Sequence, residues 1–155
     1  MEDKKALFGE LRNEAERLLS GPGEVAERLQ AVCDLLCLRV PHYDWVGFYL
    51  VGSEEGILEL CPFHGKPTDH VRIPFGRGVC GRAAAARKTI IVQDVGGESN
   101  YLSCSPDVRA EIVIPLFRGG RIAGELDIDS HRVSPFTAED REMLEAISRA
   151  AEKIL

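Results

Sequence analysis

EIVIPLFRGGRIAGELDID, residues 111–129, is the stretch from which the fold class is read. Glu111 to Phe117 and Ile122 to Asp129 are strand-length runs rich in branched and aromatic side chains. Arg118-Gly119-Gly120-Arg121 joins them, and a Gly-Gly pair tolerates the positive φ of a tight turn, so the segment predicts a β-hairpin. In its second arm Glu125, Asp127 and Asp129 project to one face and Leu126 and Ile128 to the other.

Strand signals continue upstream. Trp45, Gly47 and Tyr49 alternate with Val46, Phe48 and Leu50, and Gly52 to Gly56 reads as a turn into Ile57 to Leu60. Val71 to Ile73 and Thr89 to Val92 are short strands, with the Ala-rich run 82–88 between them long enough for about two helical turns. Outside this block the period is helical. Leu7, Leu11, Ala15, Leu18 and Leu19 form one stripe, stopped by Gly21-Pro22-Gly23, and Val25, Leu29, Val32, Cys33 and Leu36 form a second, stopped by Pro41. A last helix opens near Thr137, with an acid three residues on as in a capping box, and runs through Met143, Ile147, Ala150 and Ile154. The expected class is α+β, a mostly antiparallel sheet with helices packed on it. One domain is expected over 1–155, with helices in 1–40, sheet and pocket loops in 41–135 and the closing helix in 136–155.

Composition excludes several functions. A chain of 155 residues with 45% hydrophobic and 28% charged residues is of globular type, and a net charge of −6 argues against nucleic acid. The apolar run 112–117 is far too short to cross a bilayer, and the charged start has no signal-peptide character, so the expected compartment is the cytoplasm. Five cysteines at irregular spacing do not make a disulfide framework, which leaves reduced thiols.

Two of those thiols stand in suggestive places. Cys80, in Gly76-Arg77-Gly78-Val79-Cys80-Gly81, precedes the Ala-rich run and is flanked by Arg77 and Arg82, a setting expected to favour the thiolate. Cys104 lies in the long polar loop 94–107, where Ser105-Pro106-Asp107 reads as the start of a short helix. The plainer alternative for each is a small buried apolar residue. Cys33 and Cys37 read as helix-face packing, and Cys61 with His64 is half of a zinc site that lacks a matching second pair, so no metal is expected. The GxGxxG match at 76–81 is set aside, because Pro74 interrupts the strand before it and the helix after it is too short for a βαβ crossover. The acidic face of Glu125, Asp127 and Asp129 is either solvated or lines a pocket, which Glu111 could join, and Gly47 between Trp45 and Tyr49 would leave a slot for a small or sulfur-bearing group.

With WVGFYL at 45–50, PFHGKP at 62–67, IPFGRGVCG at 73–81, NYLSC at 100–104, EIVIPL at 111–116 and GELDIDS at 124–130, the chain resembles the free methionine-(R)-sulfoxide reductases, stand-alone members of the GAF domain family. The resemblance implies a six-stranded antiparallel sheet and a closed pocket for free methionine sulfoxide. It implies Cys80 and Cys104 as the redox pair, with Glu111, Asp127 and Asp129 as polar pocket residues and Trp45 and Tyr49 as the aromatic wall. Cys104 is assigned as nucleophile and Cys80 as resolving thiol, the reverse order remaining open. Thioredoxin as reductant, no bound cofactor, a homodimer and a role under oxidative stress are implied as well. The chain departs from the family at His70, where a third cysteine is common, and Glu125 stands at a position the family varies. The competing readings are a non-catalytic GAF module that binds a small ligand and a thiol redox sensor.

Overall fold

A computed structural model describes residues 3–98 and 106–155. Helices α1 (Lys4–Ser20) and α2 (Val25–Arg39) come first, followed by strands β1 (Trp45–Val51), β2 (Ile57–His64) and β3 (Arg72–Pro74). Helix α3 (Gly78–Ala86), strand β4 (Ile90–Val92), a 3₁₀ turn (Val95–Gly97), strands β5 (Ala110–Arg118) and β6 (Arg121–Ser130), and helix α4 (Ala138–Glu152) complete the chain. The strands form one antiparallel sheet in the order β3-β2-β1-β6-β5-β4. This is the α+β architecture expected, and the hairpin at its centre turns on Gly119 and Gly120, with φ of 57° and 78°.

Both faces of the sheet are covered, each by its own apolar cluster. Val46, Phe48, Ile112, Ile114, Leu126 and Ile128 pack under α1, α2 and α4, whose contributions include Leu11, Leu29, Leu36, Leu144 and Ile147. Burying a side chain of this size contributes about 1.5–3 kcal/mol each, so this layer dominates the stability. On the opposite face Trp45, Tyr49, Leu58, Ile73 and Val113 pack with Val79, Cys80, Ala83 and Ala84 of α3. The alternation within β1 therefore divides two buried layers and not core from solvent, which is why Trp45 to Tyr49 is buried without a break.

Two interior prolines are accommodated where pairing lapses. β2 runs on through Pro62 to His64, past the expected Leu60, because the ladder with β1 shifts between Gly47 and Tyr49 and Pro62 falls in the irregularity. Pro115 of β5 lies beyond the reach of β4, and its carbonyl accepts from Arg149 of α4 at 2.7 Å.

The capping box at Thr137 forms as expected, and Asp140 does more than close it. Its buried carboxylate accepts from His42 and from the Tyr43 hydroxyl, both at 2.7 Å, and pairs with Lys4 at the start of α1. A single acid thereby ties three separate parts of the chain together. Among the described residues no helix is long and apolar enough to cross a membrane.

Candidate active site

The register across β1, β6 and β5 assembles the site on the face opposite the main core. One row crosses the sheet as Trp45, Asp129, Glu111 and Val92, and the next as Gly47, Asp127, Val113 and Ile90. Residues that are 18 and 84 positions apart along the chain (Glu111 to Asp129, Trp45 to Asp129) thus stand side by side. α3 lies over these rows and brings Cys80 down onto the carboxylates.

The result is a small, partly open cavity of about 20 Å³, lined by Trp45, Tyr49, Cys80, Glu111, Asp127 and Asp129. Thr68, His70, Ile73, Arg77, Gly78 and Val79 complete its wall. The Cys80 thiol donates to Asp127 Oδ2 at 3.4 Å and faces Glu111 Oε2 at 3.8 Å. Asp127 Oδ1 is buried and has no hydrogen-bond partner among the described residues. That leaves a carboxylate oxygen available to a donor brought by a ligand. The Tyr49 hydroxyl donates to the His70 carbonyl at 2.8 Å, tying the loop before β3 to the cavity wall.

The electrostatics reverse the expectation for Cys80. Burial first, and then the negative charge of whichever of Asp127, Glu111, Glu125 and Asp129 is ionised, pushes its pKa well above that of a free thiol. Two assumptions behind the thiolate expectation fail. Arg82 is paired with Glu98 at 2.5 Å, and the helix begins at Gly78, so Cys80 lies inside the first turn with its side chain against acids. Burial likewise raises the Asp127 carboxyl and, strongly, that of Glu125. The solvated reading of the acidic face is excluded, since Glu125, Asp127 and Asp129 are all buried.

Glycines shape this site through close approach. Gly76 and Gly78 have φ of 92° and 66°, and a Cβ on Gly81 would stand 2.6 Å from the Pro74 carbonyl, so the GRGVCG turn can be this tight only with glycine. The expected slot over Gly47 does not exist, because the edge of the Trp45 ring occupies that space and a Cβ would run into it. The indole stacks on Phe63 at 5.6 Å between centroids and donates to the Lys66 carbonyl at 3.0 Å. Trp45 is thereby held as a fixed wall of the cavity.

Cys104 lies outside the described residues. The short helix expected from Ser105 onward is not seen at 106–109, where Pro106 and Asp107 form a turn and Lys66 bonds Asp107 at 3.3 Å. The remaining thiols are remote from the cavity. Cys33 is buried in the main core, burial pushes Cys37 up to about 11, and half-buried Cys61 lies on β2 beside α2. His64, the partner considered for Cys61 in a half zinc site, bonds Asp34 at 2.8 Å. Among the described residues the group of potential ligands that does come together, with donor atoms within 4.8 Å, is Cys80, Glu111 and Asp127. Sequence spacing could not reveal it, because its members sit on three elements.

Known proteins share the sequence and the fold of this chain. The GAF domain family matches residues 24–155. The free methionine-R-sulfoxide reductase of Escherichia coli is 36% identical over 153 residues, which cover 99% of this chain and 91% of that protein. The crystal structure of the Neisseria meningitidis free methionine-R-sulfoxide reductase, in complex with its substrate, superposes with a TM-score of 0.93 at 37% identity, covering 99% of this chain and 91% of that one. A substrate complex of the Staphylococcus aureus protein, also 37% identical, gives a TM-score of 0.86 with 96% and 95% covered. By fold, sequence and extent of match, the chain belongs to the GAF domain family and, within it, to the free methionine-R-sulfoxide reductases.

Proposed function

We propose that this protein is an oxidoreductase that reduces free L-methionine-(R)-sulfoxide to L-methionine by thiol chemistry. The observation that carries the reading is the buried contact of a thiol, Cys80, with two carboxyl groups, Glu111 and Asp127, on a small cavity walled by Trp45 and Tyr49. Carboxylates supply what a free amino acid's ammonium group requires, and the rings supply an apolar surface for a thioether.

In this reading Cys104 provides the attacking thiolate. Its sulfur bonds to the sulfoxide sulfur, the sulfoxide oxygen passes to the cysteine as a sulfenic acid, and methionine leaves reduced by two electrons. Asp127, whose raised pKa keeps it protonated to higher pH, is suited to protonate that oxygen. Cys80 then passes its proton to the adjacent carboxylate and its sulfur bonds to the sulfenic sulfur, breaking the S–O bond; the departing hydroxide takes that proton back and leaves as water, and a disulfide remains. The protonated state of Cys80 supports the resolving role over the attacking one, since its environment disfavours a standing thiolate. Thioredoxin, a dithiol donor, returns the pair to thiols by exchange, so no bound cofactor is required. The same reading takes the cytoplasm as the compartment, oxidative stress as the setting and a homodimer as the assembly.

A coupled assay tests it, with NADPH, thioredoxin reductase, thioredoxin and racemic free methionine sulfoxide. NADPH oxidation should stop near half of the racemate, and methionine sulfoxide within a peptide should turn over far more slowly. Absence of turnover with active coupling enzymes would leave a binding module or a redox sensor in its place.

A further inference from the structure

Glu125 is a buried acid to which the mechanism above gives no task. It has no solvent exposure, and neither carboxyl oxygen has a hydrogen-bond partner among the described residues. It stands on β6 two residues before Asp127 and on the same face, but is not among the residues that line the cavity. Its partners in register are Tyr49 and Pro115. Neither offers it a donor, because the Tyr49 hydroxyl is spent on the His70 carbonyl and proline has no N–H. The roof over this part of the sheet is α3, whose buried residues there are Cys80, Ala83 and Ala84.

An ionised carboxylate in such a place would be shut off from solvent and would have no hydrogen-bond partner among the described residues, so the group holds its proton. Burial, followed by the charge of Asp127, acts in that direction, and Cys80 is the side chain that acts in the other. A protonated acid differs from the other groups around the sulfur in one respect: it can donate. The groups that bear on Cys80 from the packed elements are Asp127 and Asp129 from β6, Glu111 from β5 and Tyr49 from β1. As carboxylates the acids among them only accept and repel, and the tyrosine's proton is engaged elsewhere.

We propose that Glu125 is a positioning residue for Cys80: a neutral carboxylic acid, buried on the sheet face that α3 covers, whose O–H stabilises the thiolate when Asp127 takes the thiol proton. It rests on Cys80 being a working thiol, as in the reading above. A donor lowers the cost of forming that thiolate among acids, and Glu125, which does not line the cavity, leaves the cavity open to a second sulfur.

The test follows Cys80 itself and not turnover. Iodoacetamide modification of the Cys80 peptide is timed by mass spectrometry across pH in the full-length protein, in Glu125→Gln and in Glu125→Leu. Glutamine keeps a donor, so its rate should stay within about twofold of the original; leucine removes it, and the rate at about pH 8 should fall roughly tenfold, with the half-maximal pH moved upward. The thermal midpoint of the leucine variant should hold or rise, because an unpaired buried polar group has been removed. A folded leucine variant that reacts as fast as the original would overturn the proposal. So would a glutamine variant reacting many times faster, the mark of a negative charge removed. Should the leucine variant fail to fold, infrared spectroscopy decides: a protonated-carboxyl C=O band at neutral pH that disappears in Glu125→Gln supports the proposal, and its absence overturns it. Loss of the reductase reading alone would leave these thiol measurements unchanged.

Discussion

The Cys80 thiol and Asp127 Oδ2 stand 3.4 Å apart, with the thiol donating. A proton shared along this line keeps the sulfur quiet until an oxidised partner arrives, and it gives the carboxylate a proton to pass on. Removing the sulfur should separate the two halves of the reaction. In Cys80→Ser the first methionine should still form, at about one equivalent per chain, while thioredoxin-dependent turnover falls at least a hundredfold. Rapid quench with amino-acid analysis reads the first quantity and NADPH oxidation the second. Full steady-state activity in Cys80→Ser would remove Cys80 from the cycle.

Asp127→Asn should lower kcat by about 10²–10⁴, the usual contribution of a positioned acid, and abolish the alkaline limb of the wild-type pH profile. Its effect on stability has the opposite sign. The folded pKa of Asp127 lies above its unfolded value, so the native state holds a proton that the unfolded chain releases, and this acid weakens the fold progressively as pH rises above about 4. Denaturant titration should find Asp127→Asn more stable than the parent at neutral pH, with the gap closing below about pH 4.

Asp140 runs the other way. Burial alone would raise it, yet donation from His42, Lys4, the Thr137 backbone and Tyr43 together holds it well below the usual carboxylate range. Its stabilisation is therefore present above the unfolded pKa of about 4 and lost as pH falls toward the depressed folded value. Asp140→Asn should cost about 3 kcal/mol near neutrality, because His42 and Lys4 lose their partner, and much less in acid. Calorimetric melting at the two pH values reads the difference.

Gly47→Ala places a methyl group where the Trp45 ring lies. The strand cannot yield, so the indole must move, at a cost of about 1–3 kcal/mol in stability. Trp45 is the sole tryptophan of the chain, which makes its fluorescence a direct reporter. The emission maximum should shift in the variant, and the affinity for free methionine, measured by calorimetric titration, should fall about tenfold or more. An unshifted emission with unchanged affinity would mean that the ring's position does not matter to the pocket.

The chain order of elements was legible in the sequence because each rests on local physics. Apolar spacing marked α1, α2 and α4, Gly119-Gly120 marked the central hairpin, and Thr137 with Asp140 marked the last helix start. The motifs also carried the family, since strings such as GRGVCG and LDIDS are contiguous. Local reading failed where a residue's behaviour depends on what lies across from it. Cys80 was expected to be a thiolate from its arginine neighbours in sequence, whereas its neighbours in space are acids. The slot at Gly47 was inferred from two flanking rings, one of which turned out to fill it.

Sequence by itself determined which segments become strands and helices, which side of each strand carries the acids, and which family the chain resembles, because these follow from periodicity, turn chemistry and contiguous motifs. Tertiary structure alone decided that the acids are buried, that the Glu125 carboxyl has no hydrogen-bond partner among the described residues, and that Cys80, Glu111 and Asp127 meet within 4.8 Å. The physical reason is that desolvation and charge act through space over a few ångströms, and only strand pairing and the docking of α3 bring those distances about.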